Sequence, residues 1–216
     1  MMGLREFVRG MARPRMGRRL ISLLLSVELM GVCVAVFDRI GLGTDPCSTL
    51  TLGLSRLMGV SFGTVQLTLN ALLMLIVLRF DVGRIGAGTL ANMVFIGYTA
   101  DFVMAVLDRF PALLTLTMAA RLAIFAPTML VFLLSASVYI SVDLGVAPYD
   151  AVPQIIAAHT KRLSFRVIRV CWDVGMMLSG FALGSTVGLT TVVTGFCLGP
   201  AIAAVRERVK GFYGEA

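Results

Sequence analysis

Apolar residues in this chain gather into long unbroken runs instead of the one-faced stripes of soluble helices. Runs long enough to cross a bilayer occupy about 20–38, 62–80, 86–107, 112–141, 164–183 and 187–205, and each predicts a spanning helix. Two shorter stretches, Pro46–Met58 and Pro148–Thr160, have thirteen residues each. As helices they reach about 20 Å, short of a hydrocarbon core of about 30 Å. Both follow a glycine turn and start on proline, whose missing N–H is harmless at the first helical position. Both carry polar side chains: Ser48, Thr49, Ser55 and Arg56 in the first, Asp150, Gln154 and His159 in the second. They are expected to be half-helices or re-entrant segments.

The pattern occurs twice. Leu42-Gly43-Thr44-Asp45-Pro46 returns as Leu144-Gly145-Val146-Ala147-Pro148, Ser61-Phe62 as Ser164-Phe165, and Gly86-Ala87-Gly88-Thr89 as Gly188-Leu189-Thr190-Thr191. Gly97 corresponds to Gly199 and Arg19 to Arg121. The offset is 102 residues, widening to 103 around Ser61 through one inserted residue in the second half. Two copies of one unit in so apolar a chain point to a membrane transport fold with its site between the halves. The expected fold is an all-α, polytopic helical membrane protein. It would hold two internal repeats, each of three spanning helices plus one short broken or re-entrant helix. The chain divides into a basic cytoplasmic N-terminal segment (1–19), a first membrane repeat (20–110), a second (111–205) and a cytoplasmic C-terminal tail (206–216).

Composition agrees with this reading. Of 216 residues, 58% are hydrophobic and 14% charged, against roughly a quarter charged in a soluble domain, which leaves no room for a sizeable soluble unit. The net charge of +7 would suggest nucleic acid were it not loaded at the ends. Arg5, Arg9, Arg13, Arg15, Arg18 and Arg19 precede the first apolar run, and Arg206, Arg208 and Lys210 follow the last. That is the positive-inside pattern, with the lipid bilayer as partner and nucleic acid excluded. With six spans and a cytoplasmic N-terminus, fifteen of the nineteen basic residues lie inside, and if both short helices cross the count is sixteen. Either count puts both termini in the cytoplasm. Length and polarity of the short helices favour six, which makes the repeats inverted; eight would make them parallel. The first 35 residues imitate a signal peptide, but Leu20–Phe37 has a counterpart in Leu122–Tyr139, which favours a retained helix. Cys33, Cys47, Cys171 and Cys197 have no paired spacing and read as small apolar helix residues, with no disulfide frame and no metal.

Ionisable side chains within spanning runs are the strongest functional pointers, because each is costly unless it faces protein or water. Glu28 lies mid-way along the first helix and Asp173 mid-way along the fifth, with Arg169 one turn before it. At i, i+4 the Arg169 and Asp173 side chains share a face and neutralise each other, in a site or in a structural pair. Their counterparts in the first half are Gln66 and Asn70. Thr44, Asp45 and Ser48 surround one broken-helix start, and Tyr149 and Asp150 follow the other. Such starts present unpaired N–H groups and a positive dipole end that hold polar or anionic groups. Capping explains Asp45 and Asp150 equally well. Asp101 is read as structural. His159 stands alone, and no nucleophile–base set, phosphate loop or CxxC pair occurs, so neither enzyme activity nor a cofactor is expected.

Several of these motifs together resemble the YczE/YyaS/YitT type of bacterial membrane proteins. The resemblance rests on Gly43-Thr44-Asp45-Pro46-Cys47-Ser48, Ser61-Phe62-Gly63-Thr64, Ile85-Gly86-Ala87-Gly88-Thr89 with Asn92-Met93, Gly97-Tyr98 with Asp101-Phe102, Ala147-Pro148-Tyr149-Asp150-Ala151 and Gly199-Pro200. It spans about 20–203 and implies a multi-pass protein of the bacterial cytoplasmic membrane with a duplicated helical unit, without implying a substrate. Cys47-Ser48 stands where the second half has Tyr149-Asp150, so a symmetric ion site is not expected. The function expected is a small-solute transporter or permease-like protein with a polar site between its repeats. A non-transporting accessory, assembly or regulatory membrane protein is the alternative. The partners expected are lipid and a small solute, with a homo-oligomer as a further candidate.

Overall fold

The structure, a computed structural model, describes residues 15–110, 115–160 and 163–213. Arg5, Arg9, Arg13, Lys161 and Arg162, the start of the fourth apolar run and residues 214–216 of the tail lie outside them. Among the described residues every regular element is helical: α1 (Met16–Ile40), α2 (Pro46–Met58), α3 (Phe62–Phe80), α4 (Ala87–Leu107), α5 (Met118–Val142), α6 (Pro148–His159), α7 (Phe165–Ala182) and α8 (Leu189–Tyr213). Their starts are set by local chemistry. The Ser48, Thr64, Ala120 and Val167 N–H groups donate to the side chains of Asp45, Ser61, Thr117 and Ser164, satisfying orphan donors of α2, α3, α5 and α7.

Helices α1, α3, α4 and α5 are long and apolar enough to cross a membrane. Helix α8 would be a fifth if its two parts, Leu189–Gly199 and Ala201–Arg208, form one span bent by 45°. The bend falls at Pro200, which cannot donate the helical hydrogen bond. Helix α7, expected as a span, is shorter and carries Arg166, Arg169 and Asp173, so composition alone does not mark it as one. The short stretches form helices as expected, α6 ending at His159. The last helix runs on to Tyr213 through what reads in sequence as a charged tail. The cause is at the other end of the chain. Arg15 donates to the Phe212 carbonyl at 2.7 Å and Arg19 to the Tyr213 carbonyl at 3.2 Å, cations set against the carbonyl end of a helix.

Helices α1 and α5 pack antiparallel at the centre. Arg19, at the start of α1 and 1% exposed, donates to the Val142 carbonyl at the end of α5. At the opposite end, Gly41, just past α1, lies beside the Arg121 guanidinium near the start of α5. Between these ends the Phe37 ring packs at an angle on Phe125 and edge-to-face on Phe132, with centroids 6.0 and 5.7 Å apart. Helix α1 also packs on α4, and α5 on α8; α2 packs on α7, and α3 on α6. The outer surface is apolar, with Leu25, Leu72, Leu75, Phe102, Phe181 and Phe196 exposed, as lipid contact requires.

The two helix breaks close on each other's half. Gly43 (φ +83°) lies against Gly188 at the start of α8, and Gly145 (φ +107°) against Gly86 at the start of α4. A Cβ on either glycine would stand 2.5 Å from the facing backbone nitrogen. This approach lets the Thr190 N–H donate to the Leu42 carbonyl at 3.1 Å and the Gly88 N–H to the Leu144 carbonyl at 2.7 Å. Thr191 Oγ1 donates to the Thr44 carbonyl at 2.7 Å, and Thr89 Oγ1 to the Val146 carbonyl at 2.9 Å. Gly43→Ala is therefore expected to destabilise the protein by about 2–4 kcal/mol, from left-handed strain plus overlap with Gly188. Gly175→Ala, with open space around its Cα in mid-α7, should change stability by no more than about 1 kcal/mol, in the favourable direction. Thermal unfolding of the two variants in detergent measures the contrast.

Candidate functional site

A cavity of about 90 Å³ lies where the starts of α2 and α6 meet α1, α3, α4, α5, α7 and α8. Its wall includes Asp45, Ser48, Gln66, Asn70, Tyr149, Asp150, Arg169 and Asp173. Eight of the ten residues singled out from sequence thus converge on one space. The wall also contains Met30 and Phe132, Val34 and Ala136, and Asn92 and Thr194. In each of these pairs, as in Ser48 and Asp150, Gln66 and Arg169, and Asn70 and Asp173, the members stand 102 or 103 residues apart. The charge is unevenly spread: Asp150, Arg169 and Asp173 come from α6 and α7, and their counterparts are a serine and two amides.

Arg169 organises the charged wall. It donates from one terminal nitrogen to Asp150 Oδ1 at 2.6 Å and from Nε to Asp173 Oδ2 at 2.8 Å. Its guanidinium carbon sits 5.4 Å from the Tyr149 ring centroid, and the Tyr149 hydroxyl donates to Asp173 Oδ1 at 2.7 Å. The i, i+4 spacing on α7 thus gives the expected pair, and the first turn of α6 adds a second carboxylate. The Tyr149 ring packs on Trp172, and Asn70 Oδ1 accepts from the Tyr149 N–H at 3.4 Å. Asn70 of α3 in this way supplies α6 with the acceptor that Ala147, at its own N-cap, lacks. On the facing helix start, Asp45 Oδ1 caps α2 by accepting from the Ser48 N–H at 3.1 Å.

Two expected residues stand elsewhere. Glu28 is not on the cavity wall; its Oε2 accepts from Thr99 Oγ1 of α4 at 2.5 Å, on another face of α1. Thr44 is buried in the junction between the halves, with Oγ1 3.0 Å from Thr49 Oγ1 and its carbonyl accepting from Thr191. Asp101 is structural, accepting from the Gly63 N–H at 2.9 Å where α3 crosses α4 at Gly97. Tyr139, which the sequence leaves open between a helix interface and the site, is on the wall, and sequence reasoning missed Asn92 and Thr194 there. The signal for these two was present: Asn92 and Thr194 are matched polar positions inside apolar runs. A wide π turn over Asn92–Ile96 accompanies Asn92 at the wall, a feature frequent at functional sites. Among the described residues no group of His, Cys, Asp and Glu is arranged to hold a metal ion.

The family of unknown function DUF6198 matches residues 17–207. An uncharacterized protein of Haemophilus influenzae is 24% identical over 180 residues, 83% of this chain and 79% of its own. The uncharacterized membrane protein YczE of Bacillus subtilis is 26% identical over 175 residues, 81% of this chain and 78% of its own. No solved structure matches.

Arg169→Gln is expected to lower stability by about 3–5 kcal/mol, because it leaves Asp150 and Asp173 without their cation in a largely buried wall. Glu28→Gln, which keeps an acceptor for Thr99, should cost about 1 kcal/mol or less. Thermal unfolding of both variants in detergent tests whether the charged interior is one cluster of three residues without Glu28.

Proposed function

The chain belongs to the DUF6198 family of unknown function, among YczE-type membrane proteins, and on that premise we propose that it is a small-solute transporter of the bacterial cytoplasmic membrane. The reading takes the chain as two inverted repeats, α1–α4 and α5–α8, with the substrate site in the cavity between them. One observation carries it: the cavity wall is drawn from matched positions of both halves and holds ionisable side chains, at the place where two broken helices start. The antiparallel packing of α1 on its counterpart α5 supports inversion, since parallel repeats would set matched helices in the same sense. Inversion in turn supports three spans per half, with α2 and α6 entering the membrane without crossing it and both termini cytoplasmic.

The closed pairing of Arg169 suits the alternative as well, in which the charges only lock helices together in an accessory protein. Flux separates the two. Protein reconstituted in liposomes is expected to give saturable, solute-dependent currents on a solid-supported membrane with at least one member of a panel of small amines, amino acids, organic acids and inorganic ions. Asp173→Asn should abolish the current while the protein still inserts. Proteoliposomes silent across the panel, with Asp173→Asn altering only thermal stability, would favour the accessory reading. Topology is checked independently: a reporter fused after Met58 should read periplasmic and one at the C-terminus cytoplasmic. A cytoplasmic signal after Met58 would contradict three spans per half.

A further inference from the structure

The cavity wall is unbalanced in charge and in hydrogen bonding, in the same direction. Three carboxylates, Asp45, Asp150 and Asp173, face it with one guanidinium, Arg169. Asp45 lies close enough to Asp150 and Asp173 to feel their repulsion. Accepting an N–H from Ser48 holds the Asp45 carboxylate in place without cancelling its charge. A second observation is independent of these charges. Gln66 lines the cavity at 4% exposure, and its Oε1 is buried with no hydrogen-bond partner. A buried carbonyl oxygen without a donor is costly and calls for one. Both features ask for an occupant that is positive and rich in N–H groups.

Chemistry narrows the class. A transition-metal site draws on several His, Cys, Asp or Glu side chains converging at short range, and the described residues hold no such group of three or more. An ammonium group offers three donors in separate directions, which matches acceptors spread around a wall. Met30, Val34, Phe132 and Ile140 give the same wall apolar surface for a short alkyl stem. The volume of about 90 Å³ admits a solute of a few non-hydrogen atoms. We propose that this cavity is a site for a small alkylammonium cation, its N–H groups shared among Gln66 Oε1 and the carboxylates of Asp45 and Asp150. The inference names the substrate class of the transport reading and rests on it.

The probe is propylammonium chloride, added to the full-length protein in detergent at constant ionic strength while thermal unfolding is followed. Propylammonium should raise the Tm saturably, and sodium chloride and sodium acetate should not. Asp45→Asn keeps an acceptor for the Ser48 N–H and so preserves the α2 cap; it should weaken the apparent affinity at least tenfold. Gln66→Leu, which disturbs no ion pair, should do the same. Asp81→Asn, in an exposed pair with Arg84 away from the cavity, should leave the affinity unchanged. No saturable shift with propylammonium, an equal shift in both cavity variants, or a saturable shift with acetate would overturn the proposal. Binding without propylammonium flux into liposomes sustains the site and counts against transport. Flux of another solute without propylammonium binding overturns the alkylammonium inference and spares transport.

Discussion

A helix that breaks inside a membrane strands N–H and C=O groups where no water reaches them, and each unpaired group is costly there. In this protein the carbonyls of the turns that precede α2 and α6 are satisfied by the other half of the chain. The Leu42 and Thr44 carbonyls accept from Thr190 and Thr191, and the Leu144 and Val146 carbonyls accept from Gly88 and Thr89. The exchange demands a backbone approach that only glycine at 43 and 145 permits. Beside these junctions α2 and α6 start, α1 lies antiparallel along α5, and the two polar helix starts line one cavity.

That cavity explains the placement of charge. Polar residues at the starts of α2 and α6 are within reach of α3 and α7, which supply Gln66 and Asn70 on one side and Arg169 and Asp173 on the other. The neutral wall and the charged wall perform related tasks with different chemistry. Asn70 accepts a backbone N–H of α6, while Asp173, at the matching position, accepts the Tyr149 hydroxyl and holds Arg169. Divergence of this kind leaves matched positions of the two halves with different charge. Away from the cavity the charges tie helices together. Asp38 with Arg56 joins α1 to α2, Arg39 with Asp108 joins α1 to the end of α4, and Arg84 pairs with Asp81 and reaches Gln154 of α6.

Much of this was legible because it is local or periodic. The Gly-Pro turns, the two short helices and the Arg169–Asp173 pair follow from spacing along the chain, and the 102-residue offset marked which positions would meet. Glu28 shows where such reasoning ends. Its charge and depth in α1 say that it must face protein, but the choice between the cavity and Thr99 depends on the rotation of α1 against α4, which no local pattern encodes. The course of α8 to Tyr213 was hidden for a similar reason, since its last turn is held by Arg15 and Arg19 from nearly two hundred residues away. The unpartnered Gln66 oxygen is visible only after every neighbour has been placed.

On the proposed function the cavity between the halves is an access site and not merely a polar gap in the packing. Cys47 lies on its wall beside Asp45 and Ser48. The direct measurement is thiol labelling in membrane vesicles of known orientation, with Cys33, Cys171 and Cys197 replaced by serine. A small membrane-impermeant reagent should modify Cys47 from either side of the membrane, and propylammonium should slow the reaction from both. A Cys47 that stays unmodified from both sides until the protein is unfolded would contradict the account.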